Sequence, residues 1–258
     1  MDLGIKDKTA IVCASSKGLG YGCAKALAEA GVHLIICARG EESLGYASQE
    51  LKKYGTNITG IALDITTARG QKTILTEGKE ADILVTNAGG PPPGHWSDWE
   101  NEHILSAIET NMLAPINLIK GVLPQMMKKK WGRIVNITSQ SVKAPIQALG
   151  LSNTARSGLT GYVAGVSRQV AASGVTINNL LPGSHNTERI QSLNKSESLS
   201  KNISVEDVER LNQALIPVGR YGTIEEFGAI CAFLCSKYAG FIVGQNILVD
   251  GGNVNSTF

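Results

Sequence analysis

Thr9-Ala10-Ile11-Val12-Cys13-Ala14-Ser15-Ser16-Lys17-Gly18-Leu19-Gly20 is the stretch that decides the fold. A short apolar run passes into a polar turn holding two glycines, and a helical pattern follows through Ala30, so the order reads strand, tight turn, helix. Gly31 stops that helix, and Val32 to Ala38 follows as a continuous apolar strand, the pattern of a parallel sheet covered on both faces. Outward from there the alternation continues. Helices are expected near 41–54, 67–79, 98–129 and 151–173, and from about Thr223 to Cys235. Strands are expected at Ile58 to Leu63, Asp82 to Thr86, Arg133 to Thr138, Val175 to Leu181 and Asn246 to Val249. A polar segment runs from His185 to about Asn212. With no repeat and no Pro/Ser-rich linker, the chain reads as one α/β domain, a Rossmann-type doubly wound parallel sheet over residues 1–258.

Composition narrows the function classes. The 258 residues are 43% hydrophobic and 18% charged with a net charge of +2, an ordinary soluble composition that offers no field for nucleic acid or lipid. Lys128-Lys129-Lys130 is the one basic run and reads as the solvated C-terminal end of a helix. No apolar run approaches the ~20 residues of a membrane span, and the first residues carry no export signal. Cys13, Cys23, Cys37, Cys231 and Cys235 show no C-x-x-C and no zinc spacing, so no metal site is expected. They read as small buried hydrophobes suited to a reducing cytoplasm.

Ligands of such sheets sit beyond the carboxyl ends of the strands. The residues there are Ala14 to Gly20, Arg39, Asp64, Asn87 to Gly94, Ser139 onward and Pro182 to Thr187. Gly18 and Gly20 let a pyrophosphate approach a helix N-terminus. Arg39, with no carboxylate at the end of its strand and with Lys17 nearby, favours the 2′-phosphate of NADP over the free ribose of NAD. Asp64 reads either as an acceptor for an adenine amino group or as a turn cap.

These residues resemble the short-chain dehydrogenase/reductase family over nearly the whole chain. Ala14-x-x-x-Gly18-x-Gly20 is similar to its nucleotide loop, Asp64 to its adenine contact and Asn87-Ala88-Gly89 to its N-A-G. Asn111 and Ser139 match two members of its catalytic tetrad. Pro182-Gly183-x-x-x-Thr187 resembles the segment that holds the nicotinamide amide, and Gln245-x-x-x-Val249-Asp250-Gly251-Gly252 the closing strand. The resemblance implies an NADP(H) site at Ser15, Ser16, Lys17, Gly18, Leu19, Gly20, Arg39, Asp64, Ile65, Asn87, Ala88, Gly89, Arg156, Pro182, Gly183 and Thr187. It further implies a reaction on a carbonyl/alcohol pair like that of the 3-oxoacyl-[acyl-carrier-protein] reductases, a lid at about 185–215, and a homotetramer or homodimer. The chain departs from the pattern twice. Cys13-Ala14 stands where Thr-Gly is usual, and Ser152 and Arg156 stand where the Tyr and Lys of Tyr-x-x-x-Lys are expected. The literal Tyr21-x-x-x-Lys25 lies in the first helix, on the wrong side of the fold.

The catalytic set by position is therefore Asn111, Ser139, Ser152 and Arg156. A serine hydroxyl is a far weaker acid than a phenol, and a guanidinium cannot relay a proton, so hydride transfer would draw its proton from water or another group. His95 and His185, in loops expected to face the crevice, are candidates beside their reading as solvated loop residues. Arg189 is a candidate anchor for an anionic substrate, and Trp96 and Trp99 for an apolar wall at the mouth. The competing reading is a non-redox catalyst or a silent NADP-binding protein on the same fold.

Overall fold

Along Thr9–Cys13 (β1) successive side chains leave the strand on opposite faces, and both faces are buried: Ala10 and Val12 join one hydrophobic cluster, Ile11 and Cys13 another. Such a strand belongs in the middle of a parallel sheet with helices on both sides. The structure, a computed structural model, describes residues 1–256. Its other strands are β2 (His33–Ala38), β3 (Ile58–Ala62), β4 (Ile83–Thr86), β5 (Gly132–Ile137), β6 (Val175–Pro182) and β7 (Asn246–Val249). They pair in the order β3-β2-β1-β4-β5-β6-β7, all parallel. The order reverses at β1 and β4, the switch point where a crevice opens at the carboxyl ends of the strands.

The helices are α1 (Gly18–Glu29), α2 (Glu41–Lys52), α3 (Ala68–Glu77), α4 (Asn101–Ile108), α5 (Ala114–Lys129), α6 (Gly150–Val170), α7 (Glu188–Lys201), α8 (Val205–Ala214) and α9 (Ile224–Leu234). Leu27 of α1, Leu44 of α2 and Phe227 of α9 fill the core on one face of the sheet. Ile74 of α3, Leu118 of α5 and Leu159 of α6 fill it on the other. All five cysteines are buried and unpaired. Lys128 and Lys129 close α5, and Lys129 donates to the Glu80 carbonyl and to Asp82.

Two expected segments differ in form. The single helical region of 98–129 is divided into a 3-10 turn at Trp96–Asp98, α4, a π-helical turn over Glu109–Leu113, and α5. Such a turn inserts an extra residue, and here it carries Asn111. The polar segment after His185 is helical, as α7 and α8. In α7 only Asn194 is buried, so no apolar stripe marks the helix in the sequence.

The sheet also carries a polar row. Thr86 Oγ1 donates to Asn136 Oδ1 (2.6 Å), Asn136 Nδ2 to Asn179 Oδ1 (3.0 Å) and Asn179 Nδ2 to Asn246 Oδ1 (2.8 Å). These residues are register partners on β4 to β7, so the row ties four strands together, and the two central amides, Asn136 and Asn179, are buried with both their groups in use.

Candidate active site

The glycine loop leaves β1 through Ala14, whose φ of 46° lies in the left-handed region that a Cβ disfavours. This is where the sequence departs from the more usual glycine, and the backbone has kept the glycine-like conformation. Ser15 then donates its hydroxyl to the Val12 carbonyl (2.8 Å) and its N–H to Cys37 (3.1 Å), tying the loop to β1 and β2. Gly18, at φ 60°, faces Thr187, and a Cβ added at Gly20 would lie 2.3 Å from the Ala14 carbonyl oxygen and 2.7 Å from Asn87 Nδ2. Asn87 Nδ2 itself donates to that carbonyl (3.2 Å), so the ends of β1 and β4 are held together. Leu19 is half-buried against the core, while Ser16 and exposed Lys17 line the outer edge.

Arg39 is exposed at the end of β2, beside Asp64. Asp64 Oδ1 accepts from the N–H (2.9 Å) and the hydroxyl (2.8 Å) of Thr66. The Thr66 backbone bond, then its hydroxyl and the Arg39 charge, hold the carboxyl below its usual range. The turn-cap reading of Asp64 is therefore realised, with Oδ2 left over. Ile65 is buried, Ala88 half-buried against the core, and Gly89 has open space around it.

On the other side of the switch point, Ser139 opens a 3-10 turn and accepts from Ser141 N–H (3.1 Å). Ser152 and Arg156, one turn apart on α6, are both buried. Arg156 Nε donates to Ser152 Oγ (3.2 Å) and Nη1 to the Ile137 carbonyl at the end of β5 (2.8 Å). Burial, with the Arg189 charge adding to it, brings the guanidinium down to about 10, still cationic at neutral pH. Asn111 is 3% exposed, and its Oδ1 is sealed from solvent with no hydrogen-bond partner among the described residues. Ser141 Oγ is likewise buried and unpartnered, a position the sequence did not single out.

The Pro182-Gly183 segment continues β6, with Gly183 N–H bonded to the Val249 carbonyl (2.9 Å). A Cβ at Gly183 would lie 2.7 Å from Asp250. Thr187 Oγ1 donates to the His185 carbonyl (3.3 Å). The reading of His185 as a solvated loop residue is corrected: it is buried, its ring edge-on to Phe227 at 5.2 Å and its Nδ1 on the Gly183 carbonyl (3.2 Å). Burial pushes its pKa down. His95 is exposed and bonded through Nδ1 to Ser97 (2.8 Å). Among the described residues, neither imidazole is hydrogen-bonded to Ser139, Ser152 or Arg156. Trp99 packs against Gly150 and the core around Leu151 and Ala155, while Trp96 stands in solvent. Lys25 pairs with Glu225 of α9 (2.9 Å), which confirms that the Tyr21–Lys25 spacing belongs to a different face.

Two contacts made by the start of α7 have no sequence signal. Lys17 pairs with Glu188, and Arg189 Nη2 donates to the Pro91 carbonyl (3.0 Å). The first residues of α7 thus rest on the glycine loop and on the loop after β4.

The chain is similar to known proteins over nearly its whole length. A family model described as Enoyl-(Acyl carrier protein) reductase matches residues 13–253. The 3-oxoacyl-[acyl-carrier-protein] reductase of Vibrio cholerae is 32% identical over 97% of this chain and 98% of its own. Dehydrogenase/reductase SDR family member 4 of Bos taurus is 28% identical over 97% and 88%. Among solved structures, L-sorbose reductase from Gluconobacter frateurii, complexed with NADPH and L-sorbose, superposes with a TM-score of 0.95 at 26% identity, covering 99% of this chain and 100% of that one. The chain belongs to the short-chain dehydrogenase/reductase family.

Proposed function

We propose that this protein is an NADP(H)-dependent oxidoreductase acting on a carbonyl/alcohol pair, 3-oxoacyl reductase-like, with an altered proton donor. The observation that carries the reading is the cluster at the end of β5: a buried guanidinium bonded to Ser152 and Ile137, on the helix that packs against the turn opening at Ser139. The cofactor fits the residues present. Gly20 lies where any side chain would collide with backbone, Gly89 is open, and Arg39 ends β2 with only turn-capping Asp64 beside it. L-sorbose reductase, similar over its full length, carries NADPH.

In this reading Ser15 to Gly20 cradle the pyrophosphate, Arg39 and Lys17 take the 2′-phosphate, and Thr187 and Arg156 orient the nicotinamide half. NADPH held by these residues would supply the hydride for reduction of a carbonyl carbon. Ser139 donates a hydrogen bond to the oxygen on which negative charge develops, and Arg156 stabilises that charge as a fixed cation. Ser152, bonded to Arg156, keeps the guanidinium in place rather than giving up a proton. Asn111 Oδ1, sealed and unpartnered, is poised to accept from a water that delivers the proton. We extend the proposal to a homotetramer in the cytoplasm. Exposed Leu105, Leu113, Met127 and Phe241 supply apolar surface for assembly, and five buried free thiols suit a reducing compartment.

Ser152 and Arg156 themselves favour a second reading, a silent or non-redox NADP-binding protein. One experiment separates the two: NADPH consumption against 3-oxoacyl thioesters, diketones and aldehydes, with Ser152→Tyr/Arg156→Lys in parallel. Turnover by the unmodified protein supports the altered-donor reductase. Turnover by the double variant alone supports the silent protein on an intact site. Arg39→Ala is expected to reduce the preference for NADPH over NADH about tenfold or more.

A further inference from the structure

The two buried arginines of the chain are satisfied very differently. Arg133 gives hydrogen bonds to the carbonyls of Ser236, Gly132 and Gly174 and lies over the Trp131 ring, 4.7 Å from its centroid. Arg156, 7% exposed, has one carbonyl and one hydroxyl and, among the described residues, no carboxylate within ion-pairing distance. Its Nη2 has no hydrogen-bond partner among the described residues and points at the loop after β4, 3.8 Å from the position of a Cβ on Gly90. Arg189 reaches the next residue of the same loop, donating to the Pro91 carbonyl, and its charge acts on Arg156. The one carboxylate adjoining Arg189 in sequence, Glu188, is engaged by Lys17. Two guanidiniums thus converge on Gly90-Pro91 without a counter-ion among the described residues, one from the floor of the crevice and one from the lid.

Like charges brought together in a partly dry site destabilise one another unless an anion joins them. A ribose hydroxyl pair hydrogen-bonds a guanidinium but leaves its charge uncompensated, whereas a compact anion accepts two N–H bonds in the fork geometry that arginine presents.

We propose that Arg156 and Arg189 form an anion site for the substrate, so that the compound processed here is a carbonyl compound bearing a compact anionic group, a carboxylate or a phosphate ester. The proposal rests on the reading of this crevice as a reductase site, and equilibrium binding tests it without turnover. Calorimetry on the protein saturated with NADP+ compares acetoacetate with methyl acetoacetate, and dihydroxyacetone phosphate with dihydroxyacetone. In at least one pair the anion is expected to bind about tenfold tighter or more, with a preference that weakens as salt is raised. The pair that shows it identifies carboxylate or phosphate. Arg189 is exposed and makes a single hydrogen bond, so Arg189→Ala folds, and it is expected to erase the preference. Arg189→Lys is expected to restore part of it. Arg168→Ala, the same charge change on the exposed part of α6, is expected to leave it intact. Equal binding within both pairs, no binding of either anion, or a preference that survives Arg189→Ala overturns the proposal. Selective binding of an anion that is never reduced by NADPH keeps the anion site and removes the reductase. Reduction of neutral ketones alone, without anion selectivity, does the reverse.

Discussion

At Gly20 the loop between β1 and α1 has no room for even a methyl group. A side chain there meets the Ala14 carbonyl, which is backbone and cannot swing aside, and the Asn87 amide that donates to that same carbonyl. Gly20→Ala is therefore expected to lower stability by about 1–3 kcal/mol in urea denaturation and to weaken NADPH binding measured by fluorescence. The glycines at 18 and 20, Arg39 and Asn87 were legible because a strand-turn-helix fixes where such residues lie. The left-handed Ala14 was not, because φ at one residue leaves no mark on its neighbours in the chain. His185 shows a similar limit: a loop position is visible in sequence, but the Phe227 ring and Gly222 that bury it come from distant segments. Its pKa lies below the ordinary 6.5, so below that pH the unfolded chain takes up a proton that the folded chain resists. The contribution is complete above the unfolded value and is lost as pH falls. The urea midpoint is expected to drop between about pH 7.5 and about pH 5.5, and to drop less in His185→Asn.

Elements with a strong apolar signal matched expectation closely, β7 at Asn246–Val249 without any shift. Elements lacking such a stripe did not. Polar α7 shows in sequence only as a polar segment, and the π turn over Glu109–Leu113 merges there into one long helical pattern, since an inserted residue shifts helical phase without breaking the pattern. Register partners are also invisible in sequence, which is why the Thr86, Asn136, Asn179 and Asn246 row went unread. The two central amides, Asn136 and Asn179, each donate and accept, so removing one orphans its neighbours. Asn136→Leu leaves Thr86 Oγ1 and Asn179 Oδ1 buried without partners and is expected to cost about 2–4 kcal/mol by urea denaturation. An unchanged midpoint would show that the row carries no net stability.

For the whole molecule, the sheet order places the glycine loop, Asn87, Ser139 and the Arg156 helix around one switch point, and α7 rests on two of the loops that frame it. The sequence announced the fold and the cofactor half through motifs set by local backbone needs. It left the reaction half open because Ser152 and Arg156 acquire meaning only through their bonds to each other and to Ile137. The most direct test of the central claim is the fate of the hydride. With NADPH deuterated at the transferring position of C4, an oxo substrate drawn from the thioester, diketone, aldehyde and oxo-acid classes is expected to yield an alcohol carrying one deuterium by mass spectrometry. Binding of NADPH with no deuterium in any product of the unmodified protein, whether or not Ser152→Tyr/Arg156→Lys transfers it, would contradict an altered-donor reductase.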